Sequence, residues 1–174
     1  VYSFSLPQST NTVVRLSKKT VGNAGVTSAD LLRIVNHIFG DTLPSPYMWI
    51  AADINDDKKV SLADYLLIQR LVLGVDTVLL QGPTWKFVPK AHIFPPISTL
   101  PFGPLSAPYP DSISHTPADV DYLDDDFVAI RMGDVNGNTP VNLTSTVSSR
   151  YESPDALYFR VADQSIEAGS VIKV

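Results

Sequence analysis

The chain has 174 residues, 44% of them hydrophobic, with 14 Pro and 9 Gly, which is enough for one sizeable core in a loop-rich globular protein. Its net charge is −5 without a basic patch, which argues against a nucleic-acid partner, and no apolar run reaches the length of a membrane span. The absence of cysteine excludes disulfide and thiol chemistry and with them a small disulfide-stapled scaffold.

The chain opens at Val1 without an initiator Met, as a processed product or an excerpt of a longer chain would. Tyr2-Ser3-Phe4-Ser5-Leu6 alternates and Thr12-Val13-Val14-Arg15-Leu16 is strand-like. Residues 1–18 are therefore expected to be terminal strands of a preceding β domain.

A first helix follows Val26-Thr27-Ser28-Ala29-Asp30. Leu31, Ile34, Val35 and Ile38 form its apolar stripe, with Leu32 and Phe39 beside it and Arg33, Asn36 and His37 opposite. It stops at Gly40, where a left-handed cap favours glycine. Leu43-Pro44-Ser45-Pro46-Tyr47 reads as a turn, and Met48, Trp49 and Ile50 as core.

Asp53-Ile54-Asn55-Asp56-Asp57-Lys58-Lys59-Val60-Ser61-Leu62-Ala63-Asp64 has the spacing of a calcium loop. Calcium takes six to eight oxygen ligands, and a twelve-residue loop supplies them from positions 1, 3, 5, 7, 9 and 12. Here Asp53, Asn55 and Asp57 would give side chains and Lys59 its carbonyl. Ser61 would bind directly or through water, and Asp64 would close the loop. Two positions depart from the pattern: Lys58 stands where glycine is usual, and Asp64 where Glu is. A lysine at positive φ costs about 1–2 kcal/mol. Ser61-Leu62-Ala63-Asp64 also has the form of a capping box, which needs no metal.

The second helix, Leu62 to Leu73, is apolar almost all round and is expected to be the more buried of the two. It stops at Gly74. Val26–Ile34 aligns with Val60–Ile68 at an offset of 34 residues, and the offset holds to the two glycines. The unit of loop end, helix and glycine stop is thus duplicated.

After Gly74 the texture changes. Trp85-Lys86-Phe87-Val88 reads as a short strand, and residues 89–119 form a long proline-rich excursion, of the kind that is functional or pinned to a surface. Asp124-Asp125-Asp126 reads as a solvated turn or an anionic cluster near calcium. Asp126-Phe127-Val128-Ala129-Ile130-Arg131-Met132 alternates as a strand.

Next come Asp134, Asn136 and Asn138, spaced as positions 1, 3 and 5 of another calcium loop, with no acid at position 12. The first helix has the converse defect. Counting back from Asp30, Lys19 and Val21 occupy positions 1 and 3, and neither side chain can bind calcium. The halves complement each other. A split loop would take Asp134, Asn136 and Asn138 from one side and the Gly25 carbonyl, Thr27 and Asp30 from the other. Asn136-Gly137 is equally a strong turn signal without any metal.

Residues 141–155 are polar and read as a linker. Asn142-Leu143-Thr144 is a glycosylation sequon. Leu157–Val161 and Ser170–Val174 are two strands around a Glu167-Ala168-Gly169 turn, and two strands do not make a stable sheet.

Residues 19–140 resemble a dockerin-like module. The likeness rests on Ala51-Ala52-Asp53-Ile54-Asn55, Val60-Ser61-Leu62-Ala63-Asp64, the paired endings at Gly40 and Gly74, and the repeat. With the long insert and the late Gly133-Asp134-Val135-Asn136-Gly137, it is similar to a version found in large secreted modular proteins of Bacteroidetes-type bacteria. The head resembles the end of an immunoglobulin-like repeat. The tail from Ala156 resembles the first strands of a cohesin- or immunoglobulin-like sandwich.

The resemblance implies an α+β fold with a pair of loop–helix calcium motifs, a proline-rich insert and short strands, flanked by β segments. The domains would be 1–18, 19–140, 141–155 and 156–174. It implies Ca2+ as cofactor, with one site in the 53–64 loop and a second, split one. It also implies an extracellular or cell-surface setting. Partners would be adjacent β domains of the same chain, neighbouring subunits or a cohesin-like domain, read through loop positions 10 and 11: Ser28, Ala29, Leu62 and Ala63.

The expected function is a non-catalytic, calcium-stabilised module for adhesion, a surface layer or filament assembly. The alternatives are a true dockerin that anchors an enzyme, and a carbohydrate binder stacking sugars on Trp85, Tyr109 or Trp49. An enzyme is not expected, since His37, His92 and His115 sit in no nucleophile or metalloprotease motif.

Overall fold

The computed structural model describes residues 11–20, 22–79, 82–97, 103–115, 125–139, 147–153, 156–161 and 171–172. In chain order its elements are β1 (Thr12–Ser17), α1 (Ser28–Ile38), α2 (Pro46–Ala52), α3 (Leu62–Val72), β2 (Trp85–Pro89), a 3-10 turn (Gly103–Ser106), β3 (Ser112–His115), β4 (Phe127–Arg131), β5 (Val147–Ser153), β6 (Ala156–Val161) and β7 (Val171–Ile172).

One sheet has the order β3-β1-β6-β5 and the other β2-β4-β7. All neighbours are antiparallel except β1 and β6, which run parallel. The mixed α+β class expected from the sequence is the class observed.

β4 lies between two cores. All five of its residues are buried. Side chains alternate across a strand, so odd and even residues face opposite ways. Phe127 and Ala129 join Trp85 and Phe87 of β2 against Val14 and Leu16 of β1. Val128, Ile130 and Met132 face Ile34, Trp49, Ile50, Ile54, Ile68 and Leu71 on the helical side. A strand covered on both faces reads as a continuous apolar run.

The terminal strands find partners inside the chain. β1 pairs with β3 of the insert, from Thr12 opposite His115 to Arg15 opposite Ser112. Trp85 Nε1 donates to Thr20 Oγ1 at 2.7 Å, which ties the exit of β1 to β2. Expectation placed residues 12–16 in a preceding β domain. The missing partner strand is supplied by an insert whose pairing the sequence did not show. At the other end, β5 crosses the stretch read as a linker. β6 pairs with β1 at Val14 opposite Leu157, and β7 pairs with β4. The alternation at Tyr2–Leu6, the Asn142 sequon and the 167–169 turn lie outside the described residues.

The helices form as their caps dictate. Thr27 and Ser61 are the N-caps of α1 and α3, each in extended backbone with a capping box to Asp30 or Asp64. Past the helix ends, Gly40 and Gly74 take positive φ, 112° and 69°. α2 starts on Ser45 with Pro46 at its first turn, where a missing N–H costs nothing. Segment 43–50 was read as a turn plus core residues, and it is this short helix that the apolar run conceals.

α3 is the more buried of the two long helices, as expected, but each keeps apolar residues exposed. On α1 only Ile34 and Asp30 are buried, and Ile38 of the predicted stripe is exposed. α3, read as apolar all round, buries Asp64, Ile68 and Leu71 and leaves Leu62 and Leu66 exposed. α1 and α3 pack on each other and on the sheet, so one stripe of each suffices for the core.

The proline-rich insert is pinned down. Gly103 lies under Trp49, where a Cβ would meet the indole ring at 2.8 Å, and Leu105 is buried beside it. Phe94 sets its ring against Tyr47 of α2, with centroids 5.6 Å apart.

Candidate calcium loops

Asp53 closes α2, its N–H donating to the Trp49 carbonyl at 3.0 Å. Its carboxylate then turns into the loop. Oδ1 accepts from the Asp57 N–H at 3.0 Å and Oδ2 from the Lys58 N–H at 3.1 Å. Asn55 Oδ1 also accepts from the Asp57 N–H, at 3.1 Å. Asp64 returns from the first turn of α3: Oδ1 accepts from the Ile54 and Asn55 N–H groups at 3.0 and 3.4 Å. Its Oδ2 accepts from the Ser61 N–H at 2.9 Å and the Ser61 hydroxyl at 3.1 Å. The loop thus closes on itself, position 12 reaching back to positions 2 and 3. Lys58 has φ 69° and Asp56 φ 60°, so the strain expected at the glycine position is present and is shared by a second residue.

Asp134 repeats the role of Asp53. Its Oδ1 accepts from the Gly137 and Asn138 N–H groups at 2.8 and 3.1 Å, and its Oδ2 from the Thr139 N–H at 2.9 Å and the Thr139 hydroxyl. Asn136 Oδ1 accepts from the Asn138 N–H at 3.0 Å, as Asn55 does from Asp57. Asp30 repeats Asp64: its Oδ2 takes the Thr27 N–H and hydroxyl at 2.8 and 3.1 Å. Its Oδ1 takes the Asn136 N–H at 2.9 Å, across 106 residues of sequence. Position 12 of one half meets position 3 of the other. Gly25 closes the seam, since a Cβ there would fall 1.9 Å from Thr139 Oγ1. Of the residues expected in the split loop, Thr27, Asp30, Asn136, Asn138 and Asp134 form one continuous hydrogen-bonded chain, and Gly25 packs against its last turn.

The electrostatics suit a cation. Asp53, Asp64, Asp30 and Asp134 are all buried, at 1%, 0%, 0% and 2% exposure. Burial pushes the Asp53 carboxyl up to about 6, and the neighbouring Asp64 charge adds to the rise. Burial also raises Asp64, and it raises Asp30, where the Asp134 charge adds. Three carboxylates pushed toward their neutral forms in two loops are what a divalent ion would hold ionised. The other donors are amide, hydroxyl and carbonyl oxygens, the hard set that calcium prefers.

Among the described residues no three His, Cys, Asp or Glu side chains converge on one point. In loop one the reason is Asp57. Its carboxylate takes the Lys59 N–H at 3.0 Å and the Asn55 side-chain amide at 3.2 Å, on the exposed side. In the split loop the set holds only two carboxylates, completed by amides and Thr27. Lys59 and Ser61 stand at loop positions 7 and 9, and Ser61 Oγ also accepts from the Ala63 N–H at 3.2 Å.

Sequence reasoning missed Arg131. It is fully buried, and its guanidinium donates to the Gly22 and Thr84 carbonyls at 2.9 Å each and to the Ala24 carbonyl at 3.4 Å. Burial brings it down to about 10, against the pull of Asp134. One side chain thus holds the chain entering Gly25 against the strand that leads into Asp134. Its only signal is a charge at the end of an otherwise apolar strand.

Three other expectations meet a definite outcome. Trp49 and Trp85 are 2% and 3% exposed and present no stacking face for sugars, because both rings fill core space. Tyr109 is half-buried against two lysines. His37, read as solvated or helix-ending, sits at the end of α1, edge-on to Trp49 with ring centroids 4.5 Å apart.

The duplicated capped helices with acid-rich loops have the arrangement expected of loop–helix calcium motifs. Residues 21–73 match the family model of the dockerin type I domain. The match runs from the Gly25 half-loop through α3, and it supports a dockerin-like module there, with calcium as its ion and a structural or interaction role. Residues 134–139, the insert and both sheets lie outside it. Comparison with the curated proteins finds no match, and comparison with the solved structures finds none. No helix among the described residues is long and apolar enough to cross a membrane.

Proposed function

We propose that this chain carries a non-catalytic docking module, built around two calcium ions, whose α1–α3 face binds a cohesin-like β domain of a secreted or cell-surface assembly. Loop one takes its ion from Asp53, Asn55, Asp57, the Lys59 carbonyl, Ser61 and Asp64. The split loop takes its ion from Asp134, Asn136, Asn138, the Gly25 carbonyl, Thr27 and Asp30. The observation that carries the docking role is a duplicated apolar surface. Leu32 and Leu66 are 60% and 49% exposed, and Phe39 and Leu73 are 86% and 69% exposed. Both pairs are related by the 34-residue offset of the repeat. A helix pair that only filled a core would keep such residues inside, and grouped exposed apolar side chains mark an interaction surface. Leu62, at loop position 10, belongs to the same exposed set.

A second reading has support of its own. β1, β6 and β7 bring strands from both ends of the chain into the sheets, as a fixed joint in an adhesive or filamentous protein would. Calorimetry against cohesin-like domains separates the two. The docking reading expects binding in calcium that is lost in Leu32→Glu/Leu66→Glu at unchanged melting temperature. A panel with no binder for the parent chain would leave the joint.

A further inference from the structure

Loop one is gripped from outside as well as from within. Its two strained residues are Asp56 and Lys58, at φ 60° and 69°. Neither is among the proposed ligands, yet both side chains are engaged. Lys58 Nζ pairs with Asp56 Oδ1. Lys86 of β2, only 13% exposed at its side chain, donates to the same oxygen at 2.9 Å and to the Tyr109 hydroxyl at 3.1 Å. Lys58 Nζ and Lys86 Nζ lie 5.5 and 5.8 Å from the centroid of the Tyr109 ring, within cation–π range. Phe94 flanks that ring at 5.9 Å and carries the contact on to Tyr47 of α2. The insert therefore runs from the start of α2 to the loop that follows α2. A lysine replaces the usual glycine at the point where a tyrosine of the insert can cover it.

We propose that Tyr109 and Lys86 are positioning residues for loop one, and that the insert is a strap whose docking and calcium binding in the loop support each other. The inference rests on the reading of loop one as a calcium site. A left-handed pair of non-glycine residues is an unfavourable arrangement that surrounding contacts must impose. The strap imposes it before an ion arrives, so the loop is ordered in advance. Linkage makes the effect reciprocal: whatever the strap adds to ion affinity, the ion adds to strap docking.

Hydrogen exchange on the whole chain, with and without calcium, tests this. In the parent chain calcium should slow exchange in residues 53–64 and also in 103–112. In Tyr109→Ala, which changes no charge, the loop should still respond, but at about fivefold higher calcium, while the insert ceases to respond. Tyr109→Phe, which keeps the ring, should fall between. Protection of 53–64 with no change in 103–112 of the parent chain would overturn the strap alone. An unchanged calcium midpoint in Tyr109→Ala would overturn it too. No response in 53–64 would overturn the calcium reading and the strap with it.

Discussion

Gly25→Ala probes the seam between the two halves of the split loop. Gly25 has φ +77°, and a Cβ there would lie 1.9 Å from Thr139 Oγ1, 2.6 Å from Thr139 Cβ and 2.8 Å from Thr139 Cα. The last of these is backbone, so no rotamer change relieves the overlap. Thr139 must move, and it carries two of the hydrogen bonds to Asp134 Oδ2. Gly22 is a matched control, with φ +79° and nothing within 4 Å of its Cβ position. Both alanines suffer the left-handed penalty of about 1–2 kcal/mol. Only Gly25→Ala adds the displacement of a buried turn, about 2 kcal/mol more if two buried hydrogen bonds weaken. For a chain of this size 1 kcal/mol moves the melting temperature by about 2–4 °C. Gly22→Ala should therefore melt about 2–8 °C below the parent chain, and Gly25→Ala a further 4–8 °C below that. Scanning calorimetry in excess calcium measures both. Equal melting temperatures for the two variants would refute the close approach of residues 25 and 139, and with it the assembled loop.

Chelation should destabilise the chain. A ligand at a hundredfold excess over its Kd adds about 2.7 kcal/mol, so EDTA should lower the melting temperature by about 5–10 °C for each site lost. Asp53→Ala should reproduce the loss at loop one. Asp30→Asn and Asp134→Asn should each reduce bound calcium from two ions to one, and the double variant should cost little more than either, since both serve one site. Arg131→Met should cost about 2–4 kcal/mol by leaving the buried Thr84 carbonyl and the part-buried Gly22 carbonyl unpaired. It should also weaken the split site more than loop one, as read by calcium titration.

The self-closing acidic loop was legible because its pattern is local: twelve consecutive residues carry it. The split loop was legible in kind, since each half shows what the other lacks, and Asp30 does meet Asn136. What holds the halves in register was not legible. Arg131 reaches Gly22 across 109 residues, and Lys86 reaches Asp56 across 30. Contacts of this kind depend on the fold and leave no spacing signal. The same reason hid the pairing of β1 with β3 through an insert that has no periodicity. That α3 is the more buried helix was legible, but which of its leucines stay exposed was not, for another reason. Composition shows that Leu62, Leu66 and Leu73 are apolar but not which face meets the core. Their exposure points to a partner surface rather than to the interior.

The central claim is that two ions hold this module together, one of them across its ends. Calorimetric titration of the metal-free whole chain with calcium tests it most directly. The account predicts two calcium ions bound per chain, with Asp134→Asn binding one. A parent chain that binds no calcium would contradict the account, and one that binds a single ion unaffected by Asp134→Asn would remove the split site.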